Sequence, residues 1–197
     1  MRLLLIRHGQ SVGNQRRLIF GSADHPLTDS GRNDARIVSE KIREIHIDCC
    51  YSSPLVRAYE TAKICFSARS VPIICDDGLK EQFMGEFENG EYPDLMARFP
   101  EEFGGMMQNW TVCPPVGGEA FDEMYSRVTA SVDRIISAGQ DAAVVAHNGP
   151  LSIITAYLLG TGKQSVEVFY HMHGCFSSIT IGGGYRPGLN TLEFFNR

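Results

Sequence analysis

The sequence predicts an α/β protein of three layers, a mostly parallel sheet flanked by helices and finished by an antiparallel edge hairpin at the C-terminus. Three observations predict it. Apolar β-type segments recur at 2–6, 47–51, 71–75 and 142–146, and stretches of helical periodicity separate them, the alternation that builds parallel α/β layers. The first of these, Leu3-Leu4-Leu5-Ile6, is apolar at every position rather than at every second one, as suits a strand buried on both faces. The last two apolar runs, Ser177 to Ile181 and Thr191 to Phe195, enclose a Gly-rich connection at 182–190 and read as antiparallel strands.

The helices follow from spacing. After Thr28, a residue suited to an N-cap, Ala35, Val38, Ile42 and Ile45 fall three and four apart. Ser53-Pro54 opens a second helix through about Ser67, with proline in its first turn. A third spans about Glu119 to Ser137, with Phe121, Met124, Val128, Val132 and Ile135 on one face. A fourth follows His147-Asn148-Gly149-Pro150 and stops at Gly160. Between them, residues 83–118 are rich in Gly, Pro, Glu and Met, and only Tyr92 to Phe99 has helical spacing. Long irregular stretches in compact domains serve as binding loops, so this segment is expected to select the ligand.

A chain of 197 residues fits one domain, taken as 1–197. Its formal net charge of −5, without a Lys/Arg cluster, argues against nucleic acid and anionic membranes as partners. Six cysteines show neither a C-x-x-C pair nor histidines at zinc-finger spacing, so no structural metal is expected. Cys65 and Cys75 lie in apolar runs, as small buried hydrophobes do in a reducing compartment. No apolar window reaches a membrane span, and a cytoplasmic protein is expected.

Arg7-His8-Gly9 ends the first strand, where open α/β sheets place ligands. His147 repeats the arrangement after Ala142-Ala143-Val144-Val145-Ala146. In a parallel sheet both carboxyl ends share an edge, so the two histidines are expected to meet above it. Arg57, in the first turn of the second helix, joins the same edge, and Glu81 follows the 71–75 segment. Two histidines, two arginines and a carboxyl fit phosphoryl transfer without a metal: guanidiniums offset phosphate charge, a neutral imidazole attacks phosphorus, and a carboxylic acid protonates the departing alkoxide. His171-Met172-His173 has the i, i+2 spacing of a strand metal pair but lacks further ligands, and a loop or edge role is expected. Gly182-Gly183-Gly184 lacks the Lys-Ser/Thr ending of a phosphate loop and is expected to serve turning. Arg16 and Arg17 are solvated charges unless they reach substrate.

Arg7-His8-Gly9-Gln10-Ser11 with Asn14, Leu27-Thr28-Asp29-Ser30-Gly31, Ser52-Ser53-Pro54-Leu55-Val56-Arg57-Ala58-Tyr59-Glu60-Thr61-Ala62, Leu79-Lys80-Glu81, Gly117-Gly118-Glu119 and Val144-Val145-Ala146-His147 resemble, in order and nearly end to end, the motifs of the histidine phosphatase superfamily, in its phosphoglycerate-mutase-like branch. The resemblance implies that fold. It also implies His8 as the phosphorylated nucleophile, Arg7, Arg57 and His147 as the phosphate pocket, Glu81 as proton donor, and Asn14, Gln10 and Asn148 as substrate contacts, with no cofactor and no metal. Gln10 and Asn148 depart from the commoner Glu or Thr and Gly of relatives, and Phe83-Met84-Gly85-Glu86-Phe87 carries phenylalanine where tryptophan is usual. Mutases of this kind usually have longer chains with added cover over the site. The expectation is therefore a metal-independent phosphomonoesterase of the broad-specificity or α-ribazole-phosphate type, acting on a small phosphorylated metabolite and inhibited by phosphate or vanadate. The alternatives are a phosphoglycerate mutase and a noncatalytic phosphate-binding protein on the same fold. A monomer or a homodimer would serve either.

Overall fold

The computed structural model describes residues 1–183 and 186–197. Its elements in order are β1 (Arg2–Arg7), α1 (Val12–Gln15), β2 (Leu18–Ile19), α2 (Asp29–Lys41), β3 (Cys49–Ser52), α3 (Val56–Cys65), β4 (Ile73–Cys75), β5 (Gly90–Glu91), α4 (Tyr92–Arg98), α5 (Pro100–Gln108), α6 (Phe121–Ser137), β6 (Ala142–Ala146), α7 (Asn148–Leu159), β7 (Phe176–Thr180) and β8 (Thr191–Phe194). Among the described residues the main sheet runs β4-β3-β6-β1-β7-β8. β1, β3, β4 and β6 are parallel, with Arg7 level with Ala146 and Ser52 level with Val145. β7 is antiparallel to both β1 and β8, which gives the C-terminal hairpin.

The continuous apolar runs follow from the layers. Leu3, Leu5, Val144 and Ala146 pack with Met124, Val128, Val132 and Ile135 of α6 and with Leu151 and Ile154 of α7. Leu4, Ile6, Ala143 and Val145 face the other way, against Ala35 and Val38 of α2 and Ala58 and Ala62 of α3. Leu3 through Ile6 are wholly buried, each worth about 1.5–3 kcal/mol relative to exposure.

Three expectations are corrected. α3 starts at Val56 rather than at Ser53-Pro54, because Leu55 has extended backbone at its N-cap; its first N–H is satisfied by Asp24 Oδ1 at 2.8 Å from a distant loop. Cys65 is buried but Cys75 is exposed, since β4 is the edge strand and neighbouring Ile74 is also exposed. The 83–118 stretch holds α4 and a further helix, α5, and its own small core of Phe87, Leu95, Phe103 and Met106. A short ladder, β2 with β5, ties this stretch to the loop after β1. Gly182 takes φ 68° in the hairpin connection; Gly184, the last of the glycine run, lies outside the described residues. Among the described residues no helix is long and apolar enough to cross a membrane.

Candidate active site

The carboxyl ends of β1, β3 and β6 open on one cavity of about 340 Å³, lined by Arg7, His8, Asn14, Arg57, Glu81 and Asn148 on one side and by Leu18, Ile19, Phe20, Met84, Met106, Met107 and Trp110 on the other. The rings of His8 and His147 lie 5.0 Å apart, as two parallel strand ends require. Arg7, His8, Arg57 and His147 are all buried.

The turn after β1 depends on close approach. A Cβ on Gly9 would stand 2.1 Å from the carbonyl oxygen of Gly31, so only glycine lets the N-terminus of α2 pack there. The Gly9 N–H donates to Thr61 Oγ1 at 3.2 Å, which ties the turn to α3. The His8 Nδ1 lies 2.7 Å from the Gly9 carbonyl oxygen. A carbonyl only accepts, so Nδ1 carries the proton and Nε2 keeps its lone pair. Burial, with the charges of Arg57, Arg7 and the ring of His173, holds His8 well below the ordinary histidine pKa. The ring is therefore neutral at pH 7.

Arg57 donates from Nε to His147 Nδ1 at 3.2 Å and from its terminal nitrogens to the carbonyls of Ala23 and Gly21 at 2.9 and 2.6 Å. Burial lowers its pKa to about 10, against the opposing charges of Glu81, Asp24 and Glu88, so it stays a cation. With Nδ1 accepting, His147 carries its proton on Nε2, 2.8 Å from Ser53 Oγ. Burial and Arg57 lower its pKa well below the usual value. Both its nitrogens are occupied by protein, and it reaches the cavity through Arg57.

Glu81 lines the cavity, its carboxylate accepting from Gln82 N at 3.1 Å and Gly149 N at 3.3 Å. Asn14 accepts from Ser11 N and Oγ through Oδ1 at 3.0 and 2.8 Å, and Asn148 accepts from His171 N at 2.9 Å, which leaves each amide NH₂ for a ligand. Gln10 is not brought to the cavity: its Oε1 accepts from the Thr28 hydroxyl at 3.0 Å, beside the N-cap of α2. Arg16 and Arg17 are exposed and do not line it either.

Several residues were not legible as site components. Arg127 of α6 pairs with Glu119 through two bonds of 2.6 and 2.7 Å and donates to the carbonyls of Gly78, Lys80 and Glu81; it clamps the segment that presents Glu81. Glu88 accepts from the N–H groups of Gly21, Ser22, Ala23 and Met84, holding the loop whose carbonyls Arg57 binds. His171 and His173 lie in a loop, as expected. They nevertheless pack onto the site: the His171 carbonyl accepts from Arg7, and the His173 ring lies 5.3 Å from that of His8. The only sequence signal was the paired histidines, which read as a metal motif without partners. Among the described residues no group of three or more His, Cys, Asp or Glu is arranged to hold a metal ion.

The model of the histidine phosphatase superfamily, branch 1, matches residues 3–192. The chain is 33% identical over 183 residues to the adenosylcobalamin/alpha-ribazole phosphatase of Escherichia coli, covering 92% of this chain and 90% of that protein. It is 30% identical over 197 residues to a putative phosphoserine phosphatase 2 of Hydrogenobacter thermophilus, covering 100% and 95%. Among solved structures, the alpha-ribazole phosphatase of Shigella flexneri superposes with a TM-score of 0.92 at 32% identity, over 100% of this chain and 96% of that one.

Proposed function

The chain belongs to the histidine phosphatase superfamily, and on that premise we propose that it hydrolyses a small phosphomonoester through a phosphohistidine on His8. The observation that carries this is the His8 tautomer: Nδ1 is tied to the Gly9 carbonyl, so the lone pair on Nε2 is free in a cavity that Arg7 and Arg57 make positive.

Nε2 attacks phosphorus as the P–O ester bond breaks. Arg7 and Arg57 offset the charge on the equatorial oxygens, with His147 fixing the guanidinium of Arg57. Glu81 gives its proton to the leaving oxygen. Water then attacks the phosphohistidine, Glu81 takes the water's proton, the P–N bond breaks, and inorganic phosphate leaves. Positive charge comes from the side chains, so the reaction needs no metal.

The wall of Leu18, Ile19, Phe20, Met84, Met106, Met107 and Trp110 supports an ester whose alcohol carries an apolar, planar part, since methionine and tryptophan favour aromatic partners. An α-ribazole-type phosphate fits this description. Phosphoglycerate does not, because the lining cations, Arg7 and Arg57, are assigned to phosphate and none remains for its carboxylate. Hydrolysis of p-nitrophenyl phosphate in EDTA, followed by a panel holding α-ribazole phosphate, phosphoserine and 3-phosphoglycerate, tests the reading. Turnover in EDTA with preference for the aromatic nucleoside ester supports it. Isomerisation of 3-phosphoglycerate without release of phosphate overturns it in favour of a mutase, and binding of esters without turnover overturns it in favour of a binding protein.

A further inference from the structure

We infer that His173 is a third imidazole of the anion site, its Nε2–H turning onto an oxygen of the phosphoryl group held at His8 and Arg7. This rests on the phosphatase reading. The segment that carries His173 is built onto the end of β1: Arg7 donates to the His171 carbonyl through its guanidinium and to the Cys175 carbonyl through its backbone N–H at 3.2 Å. The His173 ring meets the His8 ring edge-on, with 5.3 Å between centroids and 61° between planes.

Three buried side-chain nitrogens have no hydrogen-bond partner among the described residues, and two of them, Arg7 Nε and His173 Nε2, belong to this site. The neighbouring imidazoles differ. His8 is bonded through Nδ1, His147 through both nitrogens, and His171 Nε2 lies 3.0 Å from Thr155 Oγ1. A ring that served packing alone would be better replaced by an apolar one, because a buried polar atom left dry is costly and folds retain one where a ligand completes it. Both orphan nitrogens can donate, and an oxyanion seated against His8 only accepts. The His173 ring stands behind His8 rather than in the cavity lining, and the contact requires it to turn toward the anion. Burial, Arg7 and Arg57 hold His173 at a pKa of about 3, so in the free protein it adds no charge beside the nucleophile, and its contribution begins when the anion arrives.

Inorganic phosphate and orthovanadate serve as probes, as competitive inhibitors of p-nitrophenyl phosphate hydrolysis and as ligands in calorimetry. His173→Phe keeps the aromatic packing and loses the donor, and should weaken both anions by about 10- to 100-fold, the range of one hydrogen bond to a charged acceptor. His173→Gln returns an N–H donor and should recover most of that loss, whereas a packing role predicts that Phe is the better substitute. Thermal melting of both variants identifies one that fails to fold, and the other then carries the test. Wild-type affinity in a folded His173→Phe protein, or no recovery in a folded Gln variant, overturns the inference while leaving the phosphatase reading intact. Failure of the wild-type protein to bind either anion overturns both.

Discussion

Gly149, the second residue of α7, is the most informative position at which to displace Glu81, the proposed proton donor, without replacing it. A Cβ built on Gly149 would lie 2.4 Å from Glu81 Oε1 and 2.7 Å from Met124 Cε. Ordinary contact needs at least 3.4 Å, so the Glu81 carboxylate must retreat by about 1 Å, a displacement that can cost ~10²-fold in rate. Both obstructing atoms are the ends of flexible side chains, and alanine is favoured over glycine in a helix by about 1 kcal/mol, so Gly149→Ala should fold and melt near the wild-type temperature. Its effect should depend on the leaving group. An alkyl phosphate such as β-glycerophosphate departs as a basic alkoxide and needs the proton, and its phosphorylation step should slow by ~10²-fold, about 2.7 kcal/mol. p-Nitrophenolate leaves without assistance and should lose less than about tenfold. Stopped-flow or rapid-quench rates on the two esters measure this directly. Equal losses on both substrates, or none on the alkyl ester, would refute the assignment of Glu81 as the proton donor.

Chelation with EDTA should leave hydrolysis unchanged, and phosphate and vanadate should inhibit competitively; activity lost on chelation and restored by zinc or magnesium would contradict the charge assignment to Arg7 and Arg57. Glu88→Ala leaves four backbone N–H groups without their acceptor and should cost at least about 2 kcal/mol in urea unfolding, whereas a loss under about 0.5 kcal/mol would show that water replaces the carboxylate. Four histidines, the buried His8, His147 and His171 and the half-buried His173, have lowered pKa values, about 3 for the last two, while their unfolded counterparts titrate near 6.5. The unfolded chain therefore binds protons first, so this stability is complete above pH 6.5 and declines as pH falls from there toward 3, by about 1.4 kcal/mol per pH unit for each histidine. His171→Gln should flatten the decline between pH 6 and pH 5 by about one such increment, and an unchanged slope would contradict the buried, neutral state of that ring.

The parts of this protein that burial dictates on both faces were legible in its sequence. Leu3 to Ile6 and Ala142 to Ala146 are continuous apolar runs because a helix layer covers each side, and the ends of those runs place His8 and His147 at one edge. α5 was hidden because Gly104 and Gly105 lie inside it, each unfavourable by about 1 kcal/mol; Phe103 and Met106, buried in the small third core, outweigh them. The β2–β5 ladder has only two residues on each strand, too few to carry a period. Gln10 and Asn14 look equally apt as ligands in the sequence. Their difference lies in the partner each amide finds, Thr28 for one and Ser11 for the other. His173 was illegible for a related reason: its significance is an unpaired nitrogen against a ring more than 160 residues away in the chain, and no local pattern encodes that.

The central claim is a covalent bond between phosphorus and His8 Nε2. Rapid quench into alkali during turnover of an alkyl ester, followed by digestion and mass spectrometry, should recover an acid-labile, base-stable phosphoryl adduct on the peptide that contains His8, and the His8→Ala protein should show neither adduct nor turnover. Turnover by His8→Ala, or an adduct on any other residue of the active wild-type enzyme, would contradict the account.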